Sequence, residues 1–233
     1  MARARLVDIS RWQGDIDAAP LKAASVCGIV ARCTVGWAYK DILYDKARQQ
    51  AAANGMIFGA YHALYPMNKD PLREFNWFMD KCGEVDMHIL DVELLHGLPL
   101  SAVQAQAKIW LDAATAAGLK PIVYSGSWFW KTAAGWENEF PLWEAEYTIR
   151  LPRGGIEWAQ EPTGSPESLS AGWTAWMMWQ WTSAGRPTGV KSESLDYDQF
   201  NGTEADLRAW LGKGVSDKEK LARLWDSHPE LHD

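Results

Sequence analysis

The sequence predicts an α/β fold, a modified (β/α) TIM-like barrel that is regular in its first half and irregular and helix-poor in its second. Three observations predict it. Short apolar runs alternate with capped helical stretches as far as residue 126, the pattern of parallel strands joined by right-handed crossovers. Beyond residue 126 strand-like runs continue while helical patterns thin out. The length, 233 residues, suits one barrel around one substantial core.

The elements follow in order. RLVDIS (5–10) opens the series as a strand. Asp17-Ala18-Ala19-Pro20 starts a helix, with Asp17 as N-cap and proline in the first turn. CGIVARCT (27–34) is a strand, and DILYDKARQQAAANG (41–55) a helix closed by Asn54-Gly55. MIFGAYHAL (56–64) is a strand and PLREFNWFMDKCG (71–83) a helix with a closing glycine. MHILDVE (87–93) is the fourth strand, PLSAVQAQAKIWLDAATAAG (99–118) a long Ala-rich helix, and KPIVYSG (120–126) the fifth strand. PLWEAEYT (141–148), TAWMMWQWT (174–182) and SESLDYDQF (192–200) read as strands, and 153–172 as a long turn-rich loop. With no repeat and no linker before residue 211, residues 1–211 form one barrel domain. The tail, 212–233, is highly charged with a thin apolar stripe of Leu221, Leu224 and Trp225, and reads as a short appended helix.

Composition narrows the function. Hydrophobic residues make up 47% and charged residues 23%, ordinary for a soluble domain. No apolar run approaches the ~20 residues that span a bilayer, so no membrane partner is expected. The start, MARARLVDIS, lacks the apolar core of a secretory signal, so the chain is expected to be made in the cytoplasm. A net charge of −7 argues against nucleic acid as a partner and against tight nonspecific attachment to acidic walls. Cys27, Cys33 and Cys82 have neither disulfide nor zinc spacing and read as buried apolar residues. Fifteen tryptophans are unusual; most are expected in the core and a few along a groove, where flat rings suit sugar faces.

Functional groups of a parallel barrel gather where strands end. The strand ends supply Asp8, then Arg32 and Thr34, Tyr61 and His62, Asp91 and Glu93, Tyr124, Glu144 and Glu146, Gln180, and Asp196 and Asp198. Asp91 and Glu93 lie two apart on a strand, so their side chains share a face. Two carboxyls so close do not both ionise easily, and one keeps its proton nearer neutral pH. A protonated acid beside a carboxylate is what a glycosidic oxygen requires in order to leave. A lone D-x-E is weak; with Asp8 and Asp196 at other strand ends, chemistry becomes the favoured reading. His62, with no carboxylate or cysteine near it in sequence, reads as a satisfied structural histidine.

These residues resemble a known family. DISRWQGDID (8–17) is similar to the opening motif of the family 25 glycoside hydrolases, the Chalaropsis-type lysozymes. The likeness continues in order through IVARCTVGWAYKD (29–41), GAYHAL (59–64), ILDVE (89–93), PIVYSG (121–126), LWEAEY (142–147), MWQWTSAGRPTGV (178–190) and LDYDQFNG (195–202), covering about 5–211. The resemblance implies an N-acetylmuramidase that cleaves the β-1,4 bond from N-acetylmuramic acid to N-acetylglucosamine in peptidoglycan, without cofactor or metal. Glu93 matches the proton donor, and Asp8, Asp91 and Asp196 match the other acids. Tyr61, Tyr124 and Gln180 match cleft positions, and Trp143 and Arg32 are further candidates to touch substrate. Asp91 resembles a carboxylate that steers the substrate's own N-acetyl group; retention by that route and inversion by water both stay open. Two departures are Cys33 in RCTVG, in place of a smaller residue, and Glu144, an added acid that would perturb substrate preference if it faced the groove. A phage-type lysin, monomeric and released to the wall through a holin-type pore, is the implied context. Two rivals are a metal-dependent hydrolase using the same acids on Mg²⁺ or Ca²⁺, and a barrel that grips glycan without cutting it.

Overall fold

The computed structural model describes residues 2–148, 155–186, 188–192 and 194–213. The expected helix in the tail lies outside the described residues, apart from its first two positions. Eight strands close into a barrel. They are β1 (Arg5–Ile9), β2 (Val26–Val35), β4 (Ile57–Ala63), β5 (Met87–Asp91), β6 (Ile122–Ser125), β7 (Leu142–Ala145), β8 (Met178–Gly185) and β9 (Leu195–Phe200), and pairing of β1 with β2 completes the ring. A two-residue strand, β3 (Tyr39–Lys40), folds back antiparallel on the end of β2. Helices α1 (Ala18–Ala23), α2 (Tyr44–Ala53), α3 (Pro71–Cys82) and α4 (Leu100–Ala116) fall within the expected stretches. Asp17 caps α1 by accepting from the Ala19 N–H at 3.1 Å.

One expectation is corrected. The barrel is not wholly parallel: β9 runs antiparallel to both β8 and β1. The connection between Gly185 and Leu195 is too short for a crossover helix, which takes a dozen or more residues, so the chain turns back as a hairpin. The consequence for the site is direct. The start of β9, not its end, reaches the mouth at which the other strands end, and Asp196 is its second residue.

Alternation along the strands sorts the core into two faces. Inward residues such as Leu6, Val30, Ile57, Ile89, Ile122 and Met178 fill the barrel floor. Gly59 also lies there: a Cβ on it would stand 3.1 Å from both Met87 Cε and Val30 Cγ2, so the floor needs its missing side chain. Outward residues meet the helices, where Phe78, Val103, Trp110 and Leu111 are buried. In the half without helices, indoles take the helices' place. Trp130, Trp173, Trp179 and Trp181 are buried there, with Trp130 and Trp173 edge to face at 5.1 Å. The sequence reading missed a last helix, α5 (Glu204–Trp210), which starts at a Thr203–Asp206 capping box and sends Leu207 into the floor cluster.

His62 faces outward and is buried. Its Nδ1 lies 2.8 Å from Thr34 Oγ1 and its Nε2 3.0 Å from Glu74 Oε2. The same Glu74 carboxylate accepts from the Tyr65 N–H and from Asn68 Nδ2, so it ties down the loop between β4 and α3. All three cysteines are buried and free, and burial pushes the Cys82 thiol up to about 11 and Cys27 to about 12.

Candidate active site

The strand alternation that builds the apolar floor brings polar residues to the mouth. Asp8, Tyr61, Asp91, Glu93, Tyr124, Trp143, Tyr147, Gln180 and Asp196 line one open cleft at the barrel mouth. Register explains the gathering. Asp8 stands opposite Asp196 across the β1–β9 pair, and Asp91 opposite Tyr124, which in turn pairs with Trp143. Glu93 lies two residues past the last residue of β5, at the lip.

A hydrogen-bond relay orients the centre. Gln180 Nε2 donates to Asp8 Oδ2 at 2.6 Å. The same amide's Oε1 accepts from the hydroxyls of Tyr124 and Tyr147, each at 2.9 Å. Asp198, two residues deeper on β9, takes no part in the lining. It is buried beneath the cleft and accepts from Trp143 Nε1 at 3.0 Å.

Electrostatics follow from burial. Asp8 is pushed up to about 7, chiefly because burial penalises its charge, with the Gln180 hydrogen bond pulling the other way. Asp91 is raised well above the usual aspartate value by burial and then by the charges of Glu93 and Asp8. Burial also raises Glu93, Asp196 and Asp198. Crowded acids in low dielectric retain protons that isolated ones lose. Asp91 Oδ1 is buried and has no protein partner, a costly state unless something else occupies it.

Two of the expected residues lie elsewhere. Arg32 does not line the cleft; its Nε and Nη2 bind Asp41 Oδ2 at 3.0 and 2.9 Å, and it reaches Asp91 only through its charge. Glu144 faces away from the cleft, buried under a loop, where it accepts from the Ser127 N–H at 2.7 Å and the Ser170 N–H at 2.8 Å. Glu146 holds the same loop through the Ser168 N–H at 3.0 Å. Glu144→Ala is therefore expected to destabilise the fold, at about 1–3 kcal/mol for each buried donor left unpaired. Thermal denaturation checks this, and an unchanged Tm would show that the two bonds carry no weight. Tyr147 was missed, although counting by twos from Trp143 reaches it: Trp143, Ala145 and Tyr147 share a face.

A closed barrel with a cluster of perturbed carboxyls and tyrosines at its mouth has the makings of a glycoside hydrolase. The chain matches the model of the glycosyl hydrolases family 25 over residues 7–190, and it belongs to that family. It is a hydrolase of the lysozyme class, acting on peptidoglycan. It is 30% identical to the uncharacterized protein YegX of Escherichia coli over 215 residues, 88% of this chain and 72% of that one. It is 25% identical to lysozyme M1 of Streptomyces globisporus over 226 residues, 87% and 69% of the two chains. Its fold is that of the crystal structure of a bacterial lysozyme from Streptomyces coelicolor, with a TM-score of 0.77 at 22% identity over 92% of this chain and 100% of that one.

Proposed function

We propose that Glu93 gives its proton to the glycosidic oxygen between N-acetylmuramic acid and N-acetylglucosamine, with Asp91 as its helper. The observation that carries this reading is the pair itself: a glutamic acid raised by burial at the lip, beside an aspartate whose Oδ1 lacks a protein partner. In this reading that oxygen accepts the N–H of a substrate acetamido group, whose carbonyl closes on the anomeric carbon as the protonated glycosidic oxygen leaves; water then opens the ring at that carbon, and configuration is retained. Asp8 and Asp196 balance developing positive charge at the sugar. Tyr61, Tyr124 and Gln180 hold the ring, and Trp143, buried edge to face beneath Tyr124 and anchored on Asp198, supports them from below rather than touching substrate. Arg32, tied to Asp41, acts as a charge on Asp91 rather than as a substrate contact. Among the described residues no group of three His, Cys, Asp or Glu side chains is arranged to hold a metal ion.

The proposal extends to context: a monomeric, phage-type lysin, made inside the cell, that meets its substrate once a pore opens the membrane. Among the described residues no helix is long and apolar enough to cross a membrane. The test of the activity is release of new reducing ends from purified peptidoglycan, with the reduced sugar identified. Muramic-acid ends are expected. Glucosamine ends, or binding with no new ends, overturn the bond assignment.

A further inference from the structure

The rim above β1, β2 and β4, neighbours in the barrel, carries a feature that the proposed chemistry leaves unused. Arg11 lies just beyond β1, Trp37 follows β2, and Arg73 sits in the first turn of α3 after β4. All three therefore stand at the mouth, where these strands end. Arg11 and Arg73 are exposed, and neither joins an ion pair among the described residues. Each instead lies over aromatic rings. Arg11 Cζ is 4.4 Å from the ring centre of Trp12 and 5.4 Å from that of Tyr39, and its Nη1 donates to the Tyr39 hydroxyl at 3.3 Å. Arg73 Cζ is 3.9 Å from the ring centre of Trp37.

The supports are themselves fixed. The Arg11 N–H donates to Asp41 Oδ2 at 3.0 Å, and Asp70 caps α3 through the Arg73 N–H at 3.1 Å. Trp77 Nε1 donates to the Tyr39 carbonyl at 3.4 Å and so ties α3 to β3. Trp12 is 69% exposed, far more than an indole needing only a core would be. Stacking orients a guanidinium plane and leaves its N–H edge open, the arrangement that receives a carboxylate by two parallel bonds. The adjoining cleft is lined by acids and tyrosines and offers no cation to an anionic part of the substrate, whereas this rim offers two.

Resting on the muramidase reading, we propose that Arg11 and Arg73, on their aromatic supports, form a subsite for the carboxylates of the peptide stems carried by the muramic acid residues. The glycan strand lies in the cleft, and its stems cross the β1–β2–β4 side of the rim.

The test compares wild type with the double variant Arg11→Gln/Arg73→Gln on two substrates. Both are sacculi stripped of phosphate polymers with hydrofluoric acid, so wall phosphate is absent; in one, the stem carboxylates are also blocked as amides. On unblocked sacculi the double variant is expected to lose about three- to tenfold in kcat/KM, the scale of two exposed charge pairs. On blocked sacculi wild type falls to the variant's level, and the substitutions have no further effect. Equal loss on both substrates, or no loss on either, overturns the subsite. Failure of wild type to release muramic-acid ends from unblocked sacculi is a separate result: it removes the muramidase reading, and this inference with it.

Discussion

Glu93→Gln is expected to lower cleavage of peptidoglycan by about 10²-fold or more, the range for losing a general acid. The swap keeps size and shape and removes only the transferable proton. Glu93 lies past the end of β5 and is only half-buried, so the fold has little reason to change. Melting temperature should not fall, and circular dichroism should match wild type, while the rate collapses. Binding of the variant to purified peptidoglycan should persist, because the tyrosines, Gln180 and Trp143 stay in place. A variant with more than a tenth of the wild-type rate would remove Glu93 from the role of proton donor.

Asp91→Asn is expected to do two opposite things. Activity should fall about 10²–10³-fold, the scale of losing one preorganised group that stabilises charge in the transition state. Stability should rise. The folded-state pKa of Asp91 lies well above the ordinary aspartate value of 3.8, because burial and the charges of Glu93 and Asp8 oppose ionisation. A carboxyl raised in this way binds its proton more tightly when folded. Its cost is therefore absent below the unfolded value and grows as pH rises through the folded one. Asparagine never ionises, so the gain in Tm should be larger at pH 8 than at pH 5. In a chain of 233 residues each ~1 kcal/mol moves Tm by about 2–4 °C, and a gain of several degrees is expected at the higher pH. An Asp91→Asn protein that is active, or less stable than wild type at pH 8, contradicts this account. The trade of stability against function is a general cost of crowded, buried acids.

Much of this was legible in the sequence, for identifiable reasons. Short apolar runs between capped helical stretches placed seven of the eight barrel strands in the right direction and four helices within a few residues. The D-x-E spacing at 91–93 needed only the end of a strand to put both acids at the mouth. What was not legible depended on contacts between distant segments. Arg32 has the inward register of a cleft residue, but the β3 hairpin brings Asp41 back to capture it. Nothing local to RCTVG announces that. Asp196 and Asp198 share a face, and only the antiparallel course of β9 decides that Asp196 stands at the mouth and Asp198 beneath it. Glu144 and Tyr147 were decidable by counting from Trp143: Glu144 falls on the opposite face and Tyr147 on the same one. The helix α5 was likewise announced by its Thr203-to-Asp206 cap but lies beyond the strongest helical patterns.

The dependence of kcat/KM on pH, measured on a soluble peptidoglycan fragment for wild type and for Glu93→Gln, tests the assignment of the acid most directly. A general acid acts only while protonated, so the rate is lost as pH rises through its pKa. The account predicts a wild-type alkaline limb displaced upward from the ordinary glutamic acid value of 4.5, as burial of Glu93 requires. The limb belongs to the coupled cluster as a whole, and it should vanish from the small residual rate of Glu93→Gln. A wild-type limb falling at about 4.5, or the same limb surviving in Glu93→Gln, would mean that the proton comes from elsewhere.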